Sequence, residues 1–279
     1  MKRSLIIWLI ALILTLLLAA FQRMTGSTYP VSGTVDFNHE FAEYKFDRSH
    51  GGEGDHTVQI INDDPGLQAE LFWKRYKTKD EWTRVKMIRE ENMISANLPH
   101  QPKAGKLLYK VKLINQSVSV FIPDEPVLIR FKGAVPLFIL IPHIIFIFGA
   151  MLLSTRTGLE IFNKEPKFKN LTFVTLLFLF LGGGIFGPIT QFYAFDAYWT
   201  GFPVGYDLTD NKILIAIIGW IIAAVMMKKS PNPKRWIAFA SILLFAVFLI
   251  PHSVLGSELD YNKLDNQKKK IERMEGPVD

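Results

Sequence analysis

His143 and His252 each follow an Ile-Pro pair within an otherwise apolar stretch of the chain. Ionisable groups are costly inside a bilayer and usually face the protein interior or a wet cavity. Two imidazoles at similar depth can bind haem b or a transition metal, or handle protons. Alternatively, each neutral imidazole hydrogen-bonds a neighbouring helix. One histidine per helix is weak support for haem, so the sequence favours the structural role and leaves a cofactor as the second interpretation.

Segment 191–212 is a second source of candidate residues, because it combines many aromatic side chains with three aspartates. We expect these aspartates near the outer ends of the helices that carry the histidines, with Asp207 as a candidate metal ligand. A single outward-facing site would then include Asp196, Asp207, Asp210 and Glu258. The alternative is local: Thr209 or Asp210 caps the next helix, and the aromatic residues anchor in the headgroup layer.

A glycine-rich stretch in the first half of the chain offers a third candidate. His50, Glu53, Asp55 and His56 supply four nitrogen or oxygen donors within seven residues, and such a loop can fold around an ion. However, no recognised metal-ligand spacing is present. The favoured interpretation is a polar turn whose glycines adopt positive φ.

Long stretches without charged residues show which elements must position these side chains. Each holds enough apolar residues to cross a bilayer, except the fourth, which is slightly short. The five stretches are 4–22, 133–155, 170–195, 213–227 and 236–257. The sequence therefore predicts a membrane α-helical protein with about five transmembrane helices. The first stretch also resembles a signal peptide, but it lacks a clean cleavage site, so an uncleaved anchor is favoured.

Lysine and arginine concentrate in segments 1–3, 156–169 and 228–235, whereas segment 191–212 has one lysine and three aspartates. Short cytoplasmic loops carry the excess of basic residues in membrane proteins. We therefore predict that the N-terminus lies in the cytoplasm and the C-terminus outside. The predicted parts are an anchor (1–22), an extracytoplasmic domain (23–132), a four-helix membrane domain (133–257) and a polar tail (258–279).

The predicted extracytoplasmic domain differs from the long apolar stretches. It contains seven to nine short runs in which apolar and polar residues alternate, separated by turn residues, and this pattern predicts an all-β sandwich. Stretches 71–76, 82–87, 96–102 and 104–113 resemble bacterial immunoglobulin-like or fibronectin-III-like modules. The whole chain resembles bacterial polytopic membrane proteins with such an exported domain. This resemblance implies a location in the bacterial cytoplasmic (inner) membrane and no particular activity. Trp73, Tyr76 and Trp82 can form a sugar-stacking platform, but packing across strands is favoured.

Composition narrows the function further. The chain has no cysteine, which excludes disulfides, thiolate nucleophiles and iron–sulfur clusters. Residues 23–132 hold 16 basic and 15 acidic residues, so no nucleic-acid surface is expected. Phosphate-binding loops and hydrolase motifs are absent from the sequence. We therefore predict a non-enzymatic scaffold, accessory subunit or envelope-interaction protein that contacts membrane lipid and a membrane or envelope protein. Redox or metal handling is the alternative, and transport is a weaker one.

Overall fold

The computed structural model describes residues 2–37, 40–115, 118–251 and 256–275. The chain forms two compact units. The helical unit comprises Met1–Ser27 and Val135–Ser257, and the β unit comprises Thr28–Ala134 and Glu258–Asp279. The polar tail therefore belongs to the same unit as the sandwich, although it lies at the opposite end of the sequence.

The helical unit is built mainly from α-helices, with a 3-10 turn at Glu160–Phe162 and a π-helical stretch at Phe180–Phe186. Its helices are α1 (Lys2–Thr25), α2 (Leu137–Leu159), α3 (Phe168–Leu179), α4 (Gly187–Phe195), α5 (Leu208–Lys229) and α6 (Pro233–Leu249). One further helix, α7 (Tyr261–Glu275), lies in the β unit.

Among the described residues, four helical stretches are long and apolar enough to cross a membrane, not the five that the sequence predicts. They are Arg3–Thr25, Leu137–Phe162, Phe168–Phe195 and Leu208–Lys229. The fifth predicted span forms α6, which has only 17 residues. Ile250 leaves the helix for an extended conformation because the following Pro251 disfavours the helical one. At 1.5 Å per residue, α6 is about 26 Å long, somewhat less than the hydrocarbon core.

The glycines of the π-helical stretch allow the helices to pack closely. A Cβ on Gly182 would lie 2.8 Å from the backbone nitrogen of Ile147, so only glycine fits against α2 at this position. Around this contact, the core of the helical unit contains Met151, Leu179 and the fully buried Trp220.

The β unit contains two five-stranded sheets, which confirms the predicted β structure. Sheet A has the order β1-β2-β4-β8-β7, and sheet B has the order β3-β10-β9-β5-β6. The strands are β1 (Val31–Phe37), β2 (Glu40–Phe46), β3 (Ser49–Gly51), β4 (His56–Ile61), β5 (Gln68–Arg75), β6 (Thr83–Lys86), β7 (Ile88–Glu90), β8 (Met93–Leu98), β9 (Lys106–Asn115) and β10 (Val118–Lys132). All pairs are antiparallel except β3 with β10.

Strand β9 shows how the sequence forms the sandwich. Its residues alternate between buried and partly exposed, as successive side chains of a strand point to opposite faces. Leu107, Tyr109, Val111 and Leu113 are fully buried in the core between the sheets. The buried hydroxyl of Tyr109 donates a hydrogen bond to the carbonyl oxygen of Asp47, at 2.8 Å.

Candidate functional site

His143 lies on α2 and contacts the π-helical stretch. Its Nδ1 is 2.9 Å from the carbonyl oxygen of Gly182, which can only accept, so Nδ1 donates. The same carbonyl also accepts the backbone N–H of Gly187. This contact with a neighbouring helix is the structural role considered for His143 in the sequence. His252 lies outside the described residues, so the predicted pairing of the two histidines stays a prediction.

Asp207 and Asp210 are both buried, and both bind Thr200 of the aromatic segment 191–212. Asp207 caps α5, because its Oδ1 accepts the backbone N–H of Thr209 at 2.7 Å. Asp210 Oδ2 accepts the backbone N–H of Thr200 at 2.6 Å. The Thr200 hydroxyl lies 3.2 Å from both carboxylates. The two aspartates therefore meet at Thr200, and Asp207, rather than Thr209 or Asp210, is the capping residue of α5.

Asp196 and Glu258 have other roles in the described structure. Asp196 ends α4 in the left-handed conformation, with φ 58°, and its N–H donates to the carbonyl of Phe192. Glu258 belongs to the β unit, where its carboxylate binds Lys77 and Lys106. No group of three or more histidine, aspartate or glutamate side chains within the described residues is arranged to hold a metal ion.

Three further charged residues of the helical unit are buried, although no pattern in the sequence indicates this. Lys212 donates from Nζ to the carbonyl of Ile250 at 3.0 Å, where α6 has ended and its last carbonyls need donors. Arg156 and Glu160 form a buried ion pair one helical turn apart, and Glu160 also accepts the backbone N–H of Lys167.

The histidine-rich loop of the sandwich brings together three histidines rather than the predicted two. The Nδ1 atoms of His50 and His56 are 3.3 Å apart, and His50 Nε2 is 3.1 Å from the carbonyl of Gly54. His100 Nδ1 lies 2.9 Å from the same carbonyl. Nothing in the sequence indicates that His100 joins this group, because only the pairing of β4 with β8 brings its distant segment to the loop.

The other predicted members of this loop face solvent. Glu53 and Asp55 are exposed, and Asp55 accepts the backbone N–H of His100 at 2.8 Å. Gly52 and Gly54 have φ of 95° and 90°, the conformation that the turn interpretation requires. Burial, together with the nearby His50, lowers the pKa of His56 below its ordinary value. The loop therefore holds a neutral His56 against His50 at neutral pH.

The polar tail binds the sandwich through Tyr261, which is 3% exposed. The Tyr261 hydroxyl donates to Gln101 Oε1 at 2.9 Å and accepts the backbone N–H of Lys106 at 3.0 Å. Gln101 cannot turn its amide, because its Nε2 donates to the carbonyls of Pro99 and His100. Burial raises the pKa of Tyr261 to about 12, so the hydroxyl keeps its proton at physiological pH.

Ion pairs extend this contact along the tail. Arg75 binds the carboxylates of Asp80 and Asp265 together, and its hydrogen bonds hold the pKa of both carboxyls below their ordinary values. Burial opposes ionisation of Glu258, but its hydrogen bonds with Lys106 and Lys77 outweigh this effect and lower its pKa. The tail is therefore fixed to the sandwich by one buried tyrosine and two groups of charged contacts.

No known protein family matches this chain, and no curated protein matches it. The contacts described above are therefore the basis for assigning a function.

Proposed function

We propose that this chain is a non-enzymatic integral membrane protein that acts through its exported β-sandwich, as a scaffold or accessory subunit for another membrane or envelope protein. The two five-stranded sheets around one core support an immunoglobulin-like assignment of the sandwich. The polar residues that the sequence offers as candidate ligands also have structural partners. His143 donates a hydrogen bond to a backbone carbonyl, and Asp207 and Asp210 accept backbone N–H groups.

The observation that carries this proposal is an apolar patch on the outer face of sheet A. Phe41 and Ile61 are 67% and 48% exposed, although their strands alternate and bury the opposite face. Ile61 lies directly opposite Met93 on β8 and opposite Glu43 on β2, which brings Phe41 within diagonal reach. Contiguous exposed apolar side chains with a polar rim are typical of protein-binding surfaces. A protein partner with a complementary apolar surface would cover this patch.

Docking of the tail supports the proposed orientation. Residues 132 and 258 both belong to the β unit, so the proposed export of this unit puts both on the same side of the membrane. The chain between them must then cross the membrane an even number of times. Helices α2, α3–α4 and α5 are long and apolar enough for three crossings, and we propose that the short α6 provides the fourth. Transmembrane helices of about 17 residues are at the lower end of the usual range.

Because the chain has no cysteine, single cysteines can test this orientation. Asp63→Cys, Asn232→Cys and Gln267→Cys place exposed thiols in the sandwich, the α5–α6 loop and the tail. A membrane-impermeant maleimide added to intact spheroplasts is expected to label positions 63 and 267, and to label 232 only after lysis. Labelling of 63 and 267 from opposite sides would contradict the proposed crossing by α6.

Site-specific photocrosslinking tests the function. A photoreactive residue at Ile61 is expected to yield a discrete cross-linked protein in intact cells, whereas the same residue at Thr57, exposed on the same strand and face, is not. Ile61→Lys should abolish the contact of a second reporter placed at Phe41. Equal cross-linking at both positions, or a stoichiometric haem or metal in the purified protein, would refute the scaffold function.

A further inference from the structure

The two sheets of the sandwich carry opposite charge. The strands of sheet B contain nine lysines or arginines and three acidic residues, whereas those of sheet A contain two and four. Residues 23–132 are therefore nearly balanced in charge only because one sheet is basic and the other is acidic. A basic surface of this kind attracts anions over a distance of about one Debye length.

Strand register collects the basic residues of sheet B on its outer face. Since β9 buries every second residue, Lys110 and Lys112 point away from the core. Lys110 lies opposite Phe72 on β5, and Lys112 lies opposite Phe121 on β10. Lys74 is two residues beyond Phe72 on the same face. These side chains come from three separate parts of the sequence.

Aromatic rings hold these lysines in place. Lys110 Nζ is 3.9 Å from the ring centre of Phe121 and 5.2 Å from that of Trp82. Lys74 Nζ is 5.1 Å from the same Trp82 ring, and Lys112 Nζ is 5.9 Å from Phe121. Neighbouring ammonium groups are therefore no more than about 10 Å apart. Because lysines already cover the rings, the rings position charge rather than stack on a sugar.

No carboxylate in the described part of the chain forms an ion pair with these lysines. The tail carboxylates bind elsewhere, Glu258 with Lys77 and Lys106, and Asp265 with Arg75. Glu70 is the one strand carboxylate on β5, and it binds Arg84. Like charges at this spacing repel one another, so a bound anion stabilises the surface.

We propose that the outer face of sheet B binds the anionic headgroups of membrane lipids, through Lys74, Lys110 and Lys112, with Lys86 at its edge. Short tethers favour this source of anions. Only residues 26–30 separate α1 from β1, and only 133–136 separate β10 from α2, and both helices are candidate spans. Even fully extended, these tethers are less than about 20 Å long, which keeps the sandwich at a high effective concentration near the headgroups.

The full chain in nanodiscs tests this inference. Ser119→Cys places the only cysteine on the same face of β10 as Phe121, at an exposed position. A fluorophore there is expected to be quenched by a headgroup-nitroxide lipid when the disc contains phosphatidylglycerol, and not in pure phosphatidylcholine. Each lysine near an anionic surface changes binding about five-fold, so charge reversal in Lys110→Glu or Lys112→Glu should reduce the docking constant about 25-fold.

Lys45→Glu, on the outer face of sheet A, is the matched control and should leave quenching unchanged. Lys86→Glu reverses an exposed charge at the edge of sheet B and should also weaken docking, so it tests the inference even if the Lys110 variant does not fold. Equal quenching with and without phosphatidylglycerol, or an equal effect of Lys45→Glu, would overturn the inference. So would a label that responds to added polyphosphate but not to phosphatidylglycerol. None of these results depends on the proposed protein partner, which would bind sheet A.

Discussion

Tyr261→Phe provides a sharp test of the contact between the tail and the sandwich. The substitution keeps the buried ring but removes the hydroxyl that joins Gln101 Oε1 to the backbone N–H of Lys106. Two polar groups in a largely buried site then lose their partner. Leaving such groups unsatisfied costs about 1–3 kcal/mol. A central value of about 2 kcal/mol increases the population of the released tail about 30-fold.

Hydrogen exchange of the full chain in nanodiscs measures this release. Helix α7 has 15 residues and is largely polar, and isolated helices of this length are marginal in water. Its amides should therefore exchange when the tail leaves the sandwich. We expect about 30-fold faster exchange in residues 261–275 of Tyr261→Phe, with exchange in β9 unchanged.

Asn262→Ala is the matched control, because Asn262 is exposed and its hydrogen bond to the carbonyl of Lys77 is long, at 3.4 Å. Exposed substitutions of this kind usually change stability by less than about 0.5 kcal/mol, or about two-fold in exchange. Equal exchange of α7 in Tyr261→Phe and Asn262→Ala would refute the role of the hydroxyl. Faster exchange in β9 as well would mean that the whole sandwich, rather than the tail, had been destabilised.

Three further substitutions test other contacts. The pKa of His56 is lowered in the folded state, so the unfolded chain takes up the proton first as pH falls below about 6.5. The free energy of unfolding should therefore fall there by up to about 1.4 kcal/mol per pH unit. His56→Gln should remove this slope in thermal melts between pH 8 and pH 5. Glu160→Gln leaves Arg156 buried without its counter-charge and should cost about 3–5 kcal/mol in detergent unfolding, whereas a loss below 1 kcal/mol would argue against a buried pair. Asp265→Asn should reduce the protection of the tail amides from hydrogen exchange less than Tyr261→Phe does. Because the folded pKa of Asp265 is lowered, the contribution of its carboxylate to tail docking is present above about pH 4 and is lost in acid, which hydrogen exchange at several pH values will detect.

Local patterns predicted the elements of this protein well. Long uncharged stretches became helices, because a helix in a bilayer must satisfy its own backbone and cover it with apolar side chains. Alternating stretches such as 106–114 became strands with one buried face. The prediction was less successful where an element ends: α5 continues to 22 residues by including Asp210 and Lys212, whereas α6 stops before Pro251. Burial of charged ends by neighbouring segments is a tertiary effect.

The sequence by itself therefore determined which segments form helices and which form strands. Only the tertiary structure decided which side chains meet. Tyr261 reaches Gln101 across 160 residues, and Lys74, Lys110 and Lys112 converge through strand pairing. The physical reason is that helix and strand periodicity depend on near neighbours, whereas these contacts depend on register between distant segments, and a one-residue slip would move every side chain to the other face.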